Sequence, residues 1–134
     1  MSLYVDTSAL LKRYVDEPES TNCETILLGD PVWLTARHTW VEVLRNLARL
    51  VSGREQQRLE AAFRADWSRF AVIELDVVTC EIAADVAKVQ GVRTLDALHL
   101  AAARRVGGNS LPFLTYDLRQ AQAARSLGFP VLGA

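Results

Sequence analysis

Cysteine, histidine, lysine and methionine are all scarce in this chain of 134 residues. The two cysteines, Cys23 and Cys80, form neither a metal-binding spacing nor a disulfide framework. Both fall in helix-patterned stretches among aliphatic residues, so they are expected as small core or boundary side chains. His38 and His99 are the only histidines, with no cysteine beside either, which argues against zinc. No apolar run reaches the roughly 18–20 residues that cross a bilayer. Asp6 and Lys12 break up the N-terminal apolar stretch, so it reads as mature structure rather than a leader, and no membrane partner is expected. A cytoplasmic location follows as the expectation. The formal net charge of −1 supplies no bulk attraction for nucleic acid.

Half of the residues are hydrophobic and 23% are charged, the balance of a folded chain rather than a disordered one. The length fits a single domain over residues 1–134, large enough for one well-buried core. Thirteen of the fifteen basic residues are arginine, and Arg13, Arg45, Arg93 and Arg119 stand near acidic positions in sequence. Arginine meets phosphate through a planar fork, whereas lysine acts as a point charge. Ordinary solvated helix faces would account for any one of them.

Strand and helix signals alternate from end to end. Ser2 to Asp6 reads as a short strand, and Asp6 or Thr7 can cap a helix over 8–15. Pro18 suits the first turn of a second helix reaching Leu28, closed by Gly29. Pro31 to Thr35 reads as a second strand. The segment 37–51 is strongly periodic, with Trp40, Leu44, Leu47 and Val51 as its apolar stripe and His38, Glu42, Arg45 and Arg49 on a neighbouring face. A charged amphipathic helix follows over 54–70, anchored by Leu59, Phe63, Trp67 and Phe70. Next come a strand at 72–75, a helix at 77–90 stopped by Gly91, a helix at 94–106, a strand at 111–116, a helix at 117–127 and a last strand at 130–132. This alternation implies a three-layer α/β/α fold with a mainly parallel central sheet and a two-helix excursion between its second and third strands.

Four acids stand at breaks in this pattern. Asp6 and Asp117 follow strands, where the carboxyl ends of a parallel sheet open onto a crevice. Asp96 lies in the first turn of its helix, where the helix dipole favours an anion. Glu42 is the most diagnostic, being expected mid-helix, where no capping role explains it. Singly, each has a structural explanation: caps for the three aspartates, and a solvated face or an ion pair with Arg45 for Glu42. Together they point to one site. Oxygen-only ligands suit Mg²⁺ or Mn²⁺, and such ions serve phosphodiester hydrolysis by activating water and stabilising the leaving oxygen. Thr7, Ser8 and Thr115 place hydroxyls beside the acids, Thr115 as a partner for a carboxylate and the other two also as caps. His99, one turn after Asp96, is expected as a buried, satisfied histidine, and Tyr4 and Tyr116 as core aromatics.

At these residues the sequence resembles the PIN-domain ribonucleases, most closely the VapC-like toxins of toxin–antitoxin pairs. The matching stretches are Tyr4 to Lys12 (YVDTSALLK), Glu42-Val43-Leu44, Arg93 to Ala101 (RTLDALHLA) and Thr115 to Arg119 (TYDLR). They occur in family order across nearly the whole chain, and the third is the most specific. The resemblance implies a PIN-like fold and a Mg²⁺- or Mn²⁺-dependent endoribonuclease with Asp6, Glu42, Asp96 and Asp117 as metal-binding catalytic acids. It also implies a homodimer and a small antitoxin that suppresses cleavage of the RNA substrate. His38 and Trp40, just before Glu42, depart from the family's usual residues.

Three other readings compete. A phosphoacceptor receiver domain is also a compact α/β unit with acids around Mg²⁺, and Asp76 is its candidate acceptor. It needs a lysine at the end of a late strand, and the only lysines are Lys12 and Lys88. A haloacid-dehalogenase-type phosphatase would need an aspartate where Ser8 stands. A catalytically silent binding module of the same fold is opposed by the presence of all four acids.

Overall fold

The computed structural model describes all of residues 1–134. Five strands form one parallel sheet: β1 (Ser2–Val5), β2 (Val32–Ala36), β3 (Ala71–Ile73), β4 (Phe113–Thr115) and β5 (Val131–Gly133). Their order is β3-β2-β1-β4-β5, all neighbours parallel. The chain walks outward from β1 to β3, then returns to the other side of β1 to lay down β4 and β5. The strand order therefore reverses between β1 and β4, and an open parallel sheet forms its ligand crevice at the carboxyl ends beside such a reversal.

Seven α-helices cover the sheet: α1 (Thr7–Tyr14), α2 (Ser20–Leu28), α3 (Thr39–Leu50), α4 (Gly53–Trp67), α5 (Val77–Gln90), α6 (Thr94–Gly107) and α7 (Leu118–Ser126). Strand side chains alternate between faces because successive Cβ atoms point to opposite sides. Leu3, Val5, Trp33 and Leu114 pack with α1 to α4 residues such as Leu10, Leu27, Val43, Leu47 and Phe63. Tyr4, Ala36, Ile73 and Phe113 pack on the other face with Val86, Leu100, Ala101 and Ala124 from α5 to α7. These are the two outer layers of the expected sandwich. The small residues 101–103 of α6 are all fully buried, which lets this helix lie close to the sheet.

Element bounds depart from the sequence reading in a few informative places. Helix α3 starts at Thr39, because Arg37 and His38 form a turn in which the Arg37 amide donates to the Ile73 carbonyl. Helix α2 starts at Ser20, since Glu17 to Glu19 are used in a turn closed by the Ser20 amide on the Glu17 carbonyl. Cys23 is fully buried, as expected, but Cys80 is exposed on α5, correcting its reading as a core or boundary residue. Helix α4 ends at Trp67, short of Phe70, and the aromatics are used within the chain: Trp40, Phe63 and Trp67 contact one another ring to ring, and Trp67 also meets Phe70. At the far edge, β5 comes so near β4 that a Cβ on Gly133 would lie 2.4 Å from the Thr115 carbonyl oxygen. No helix is long and apolar enough to cross a membrane.

Candidate active site

Asp6 leaves β1 directly into α1. Its carboxylate caps that helix, accepting from the Ala9 amide (3.1 Å) and from the Ser8 hydroxyl (2.7 Å). Because Asp6 does the capping, Thr7 and Ser8 are released from it, contrary to one reading of the sequence. Thr115, at the end of the adjacent strand β4, lies 3.2 Å from the Ser8 hydroxyl and accepts from the Asp117 amide at 3.1 Å. Thr115 thus links the strand ends that carry Asp6 and Asp117. Asp117 in turn caps α7 through the Gln120 amide at 2.9 Å.

Glu42 comes from α3, packed in the same layer as α1. The late start of α3 puts it in the first turn, so the helix dipole offers a local reason for an acid there and the mid-helix argument is corrected. Its partners lie outside its own helix, however. The Thr7 hydroxyl donates to Glu42 Oε1 at 2.6 Å, and His99 Nε2 lies 2.9 Å from the same oxygen. Arg45 is not among its ion-pair partners, which are His38 and His99.

His99 is the residue the sequence reading undervalued. It is buried and satisfied as expected, but it also joins the layers, reaching the Tyr4 hydroxyl through Nδ1 (2.8 Å) and Glu42 through Nε2. A carboxylate only accepts, so Nε2 carries the proton, and in the neutral ring the Tyr4 hydroxyl donates to Nδ1. His38 packs beside it, the rings tilted by 43° with centroids 4.1 Å apart, and His38 Nε2 lies 3.0 Å from the Leu95 carbonyl. The signal for His99 was its position three residues after Asp96 on one helix face. His38 stood four residues before Glu42, equally on one face.

The charges report the convergence. Burial pushes the Asp6 carboxyl up, against the lowering influence of His99 and of the Thr115, Ser8 and Ala9 hydrogen bonds. Burial acts on Glu42 in the same direction, but the His99 hydrogen bond and charge and the Thr7 hydroxyl outweigh it, so its carboxyl sits below the ordinary range. The Asp96 carboxyl is raised by burial and then by the negative charge of Asp117, with Glu42 adding to it and His99 and Arg93 opposing. Asp96 thus feels the charges of Asp117 and Glu42, and His99 faces Asp6, Glu42 and Asp96.

The crevice opens on the Asp96 side. A cleft of about 630 Å³ is lined by Glu42, Val92, Arg93, Thr94, Leu95 and Asp96. A second, of about 360 Å³, shares Arg93 and Asp96 and adds Arg119 and Gln122. Arg93 is largely exposed, its Nε 4.0 Å from Asp96. Arg13 is not part of this surface, since it is committed to Asp66 and Glu24 in a half-buried ion-pair group. Asp76, the acceptor of the receiver reading, caps α5 and pairs with Arg105, following the sheet-edge strand β3 rather than the β1/β4 reversal. Tyr4 is core, stacked on Phe113 with centroids 5.0 Å apart.

A three-layer α/β/α sandwich with acids gathered where the strand order reverses has a close counterpart among known proteins. Residues 3–126 match the PIN domain family, and the chain belongs to that family. Among its relatives, ribonuclease VapC47 of Mycobacterium tuberculosis is 33% identical over 133 residues, spanning 95% of this chain and 93% of the relative. Of solved structures, M. tuberculosis VapC20, described as a sarcin–ricin-loop-cleaving toxin, superimposes with a TM-score of 0.71 at 17% identity over 98% of each chain. A toxin–antitoxin complex from Klebsiella pneumoniae gives 0.67 at 20% identity over 86% of each chain.

Proposed function

We propose that this chain, as one PIN-like unit over residues 1–134, is an endoribonuclease that depends on Mg²⁺ or Mn²⁺. In this reading it is the toxin of a toxin–antitoxin pair, acting in the cytoplasm as a homodimer. One observation carries the chemistry: the Asp96 carboxyl, at the edge of the cleft it shares with Glu42, is raised first by burial and then by the charges of Asp117 and Glu42. A site that gathers several carboxylates is poised for a hard divalent cation, and oxygen donors at Asp6, Glu42, Asp96 and Asp117 would suit one. When bound, such an ion supplies the positive charge that acidifies water and offsets charge developing on phosphate oxygens.

The chain's own residues do the rest. Ser8 and the Ala9 amide hold Asp6 in one rotamer, and Thr7 with His99 fixes the Glu42 carboxylate. Arg93 and Arg119, lining the clefts beside Asp96, would receive phosphates of the RNA. The relatives' name as ribonucleases and the neighbouring toxin–antitoxin complex support the substrate class and a small antitoxin partner. The homodimer rests on the family resemblance alone.

Purified wild-type chain should cleave RNA with Mg²⁺ or Mn²⁺ and stop on addition of a chelator. Asp6→Asn and Asp96→Asn should each lower the rate by more than about 100-fold while keeping a cooperative melt, a larger loss than the 10–100-fold typical of groups one step back from a metal. Retained activity in either folded variant removes the assigned role. Expressed without its partner, the wild-type chain should slow growth of the native host, and Asp117→Asn should relieve this. Equal harmlessness of the two would count against the toxin role and leave nuclease activity to be judged by the cleavage assay.

A further inference from the structure

His38 is the least expected residue of the crevice, and what it faces is a second ligand set. We propose that His38, Glu42 and His99 form a binding site for a borderline transition ion, Zn²⁺ first among them, and that its occupation inhibits the enzyme by withdrawing Glu42 from the carboxylate cluster. The inhibitory half of this inference rests on the nuclease reading above; the binding half does not.

His38 and Glu42 stand four residues apart at the start of α3, on one helix face, while His99 arrives from α6 in the opposite layer. One donor atom from each of the three lies within 4.8 Å of the others. The nearest approaches to Glu42 Oε1 are 2.9 Å from His99 Nε2 and 3.7 Å from His38 Nε2. Bonds of about 2.0–2.1 Å to nitrogen and oxygen set the edges of a tetrahedron at roughly 3.3 Å. The observed separations bracket that value, so small side-chain adjustments close the site.

The surroundings are those of a histidine metal site. His38 is 8% exposed and its Nδ1 has no hydrogen-bond partner, so the ring proton can move to Nδ1 while Nε2 exchanges the Leu95 carbonyl for the ion. His99 carries the Tyr4 hydroxyl on Nδ1, the kind of partner that orients a ligating imidazole. Ion binding requires His99 Nε2 to give up its proton. That proton moves to Nδ1, where the Tyr4 oxygen turns to accept it, or leaves to solvent. Two nitrogens and one oxygen suit Zn²⁺, and not Mg²⁺, which prefers a shell of oxygens and gives up water reluctantly. Sequence spacing alone argued against zinc; the approach of His99 on α6 to His38 and Glu42 supplies what spacing did not.

Metal-stripped full-length protein titrated with Co²⁺ should develop the visible absorption of a tetrahedral complex, saturating at one equivalent and abolished by Zn²⁺. Asp96→Asn and Asp117→Asn should keep this spectrum and His38→Gln should lose it, as should His38→Asn if the glutamine variant does not fold. With Mg²⁺ present, one equivalent of Zn²⁺ should suppress RNA cleavage at least about tenfold in the wild type, while His38→Gln should cleave normally and resist Zn²⁺. A spectrum unchanged by His38→Gln overturns the site. Zn²⁺ that supports cleavage, or suppresses it equally in His38→Gln, overturns the inhibition. A wild-type chain that binds one tetrahedral Co²⁺ yet cleaves no RNA with Mg²⁺ or Mn²⁺ would sink the nuclease reading and leave the ligand set standing.

Discussion

The two walls of the crevice are built on opposite principles. On the α1–α3 side, Asp6 and Glu42 are gripped: Ser8 and the Ala9 amide hold the first, and Thr7 and His99 hold the second. On the α6–α7 side, Asp96 has only Arg93 at 4.0 Å, and it looks onto open clefts. Groups in the gripped wall lose little freedom when a ligand arrives, which is the advantage of a preorganised site. The open wall is where the charge of an incoming polyanion can be met and where its conformation is still adjustable. The difference predicts that loosening the groups that hold the first wall changes the chemical step, whereas removing the arginines that fringe Asp96 on the second changes binding.

The hardest blow to the gripped wall is Glu42→Gln. It removes the carboxylate but preserves shape, and cleavage should fall by more than about 100-fold with the melting temperature nearly unchanged, as single-turnover assays and thermal melts would report. Thr7→Val comes next. It deletes the hydroxyl that reaches Glu42 at 2.6 Å and leaves that carboxylate loosely held. Metal affinity and kcat should fall together by roughly 10–100-fold. Thr7→Ser, which restores the donor, should recover most of this; failure of serine to rescue would make Thr7 a packing residue only.

On the open wall, Arg93→Ala combined with Arg119→Ala should raise KM about tenfold and leave kcat within about twofold. Each lost phosphate contact on a single strand should also flatten the dependence of log KM on log salt by about 0.7. A fall in kcat without a change in salt slope would erase the distinction between the walls.

The architecture was legible because its signals are local and repeated. Strand residues such as Leu3-Tyr4-Val5 and Phe113-Leu114 alternate faces, and Gly91, with φ +67°, ends α5 where the sequence places a stop. The acids were legible as candidates because Asp6 and Asp117 cap the helices that leave β1 and β4. What joins them was not. The Tyr4–His99 bond spans 95 residues and the Glu42–His99 bond 57, and each depends on how two layers meet over the sheet edge. Arg13 was misjudged for the same reason: nothing near it in sequence announces Asp66, to which its guanidinium is bound. His38 was visible as an oddity, but its neighbours come from α6.

The smallest expected effect is also the one that separates the walls without any substrate. Asp96 is held protonated more readily in the folded chain than when unfolded, owing first to burial and then to the Asp117 charge. An acid whose pKa is raised by folding makes the native state bind more protons than the unfolded one. Stability of the metal-free protein therefore declines as pH rises from the unfolded pKa near 4 through the folded value, and the penalty is complete above it. Asp96→Asn removes that penalty at neutral pH and gives up the favourable interaction of a charge with the first turn of α6, worth about 0.3–1 kcal/mol. The balance should favour the variant by up to about 1 kcal/mol at pH 7 in chelator, a rise of a few degrees in melting temperature. The advantage should shrink as pH approaches 4, and added Mg²⁺ should stabilise the wild type more than the variant. If Asp96→Asn instead melts lower than wild type at pH 7 without metal, the Asp96 charge is already compensated in the fold, and the open wall is less open than its geometry indicates.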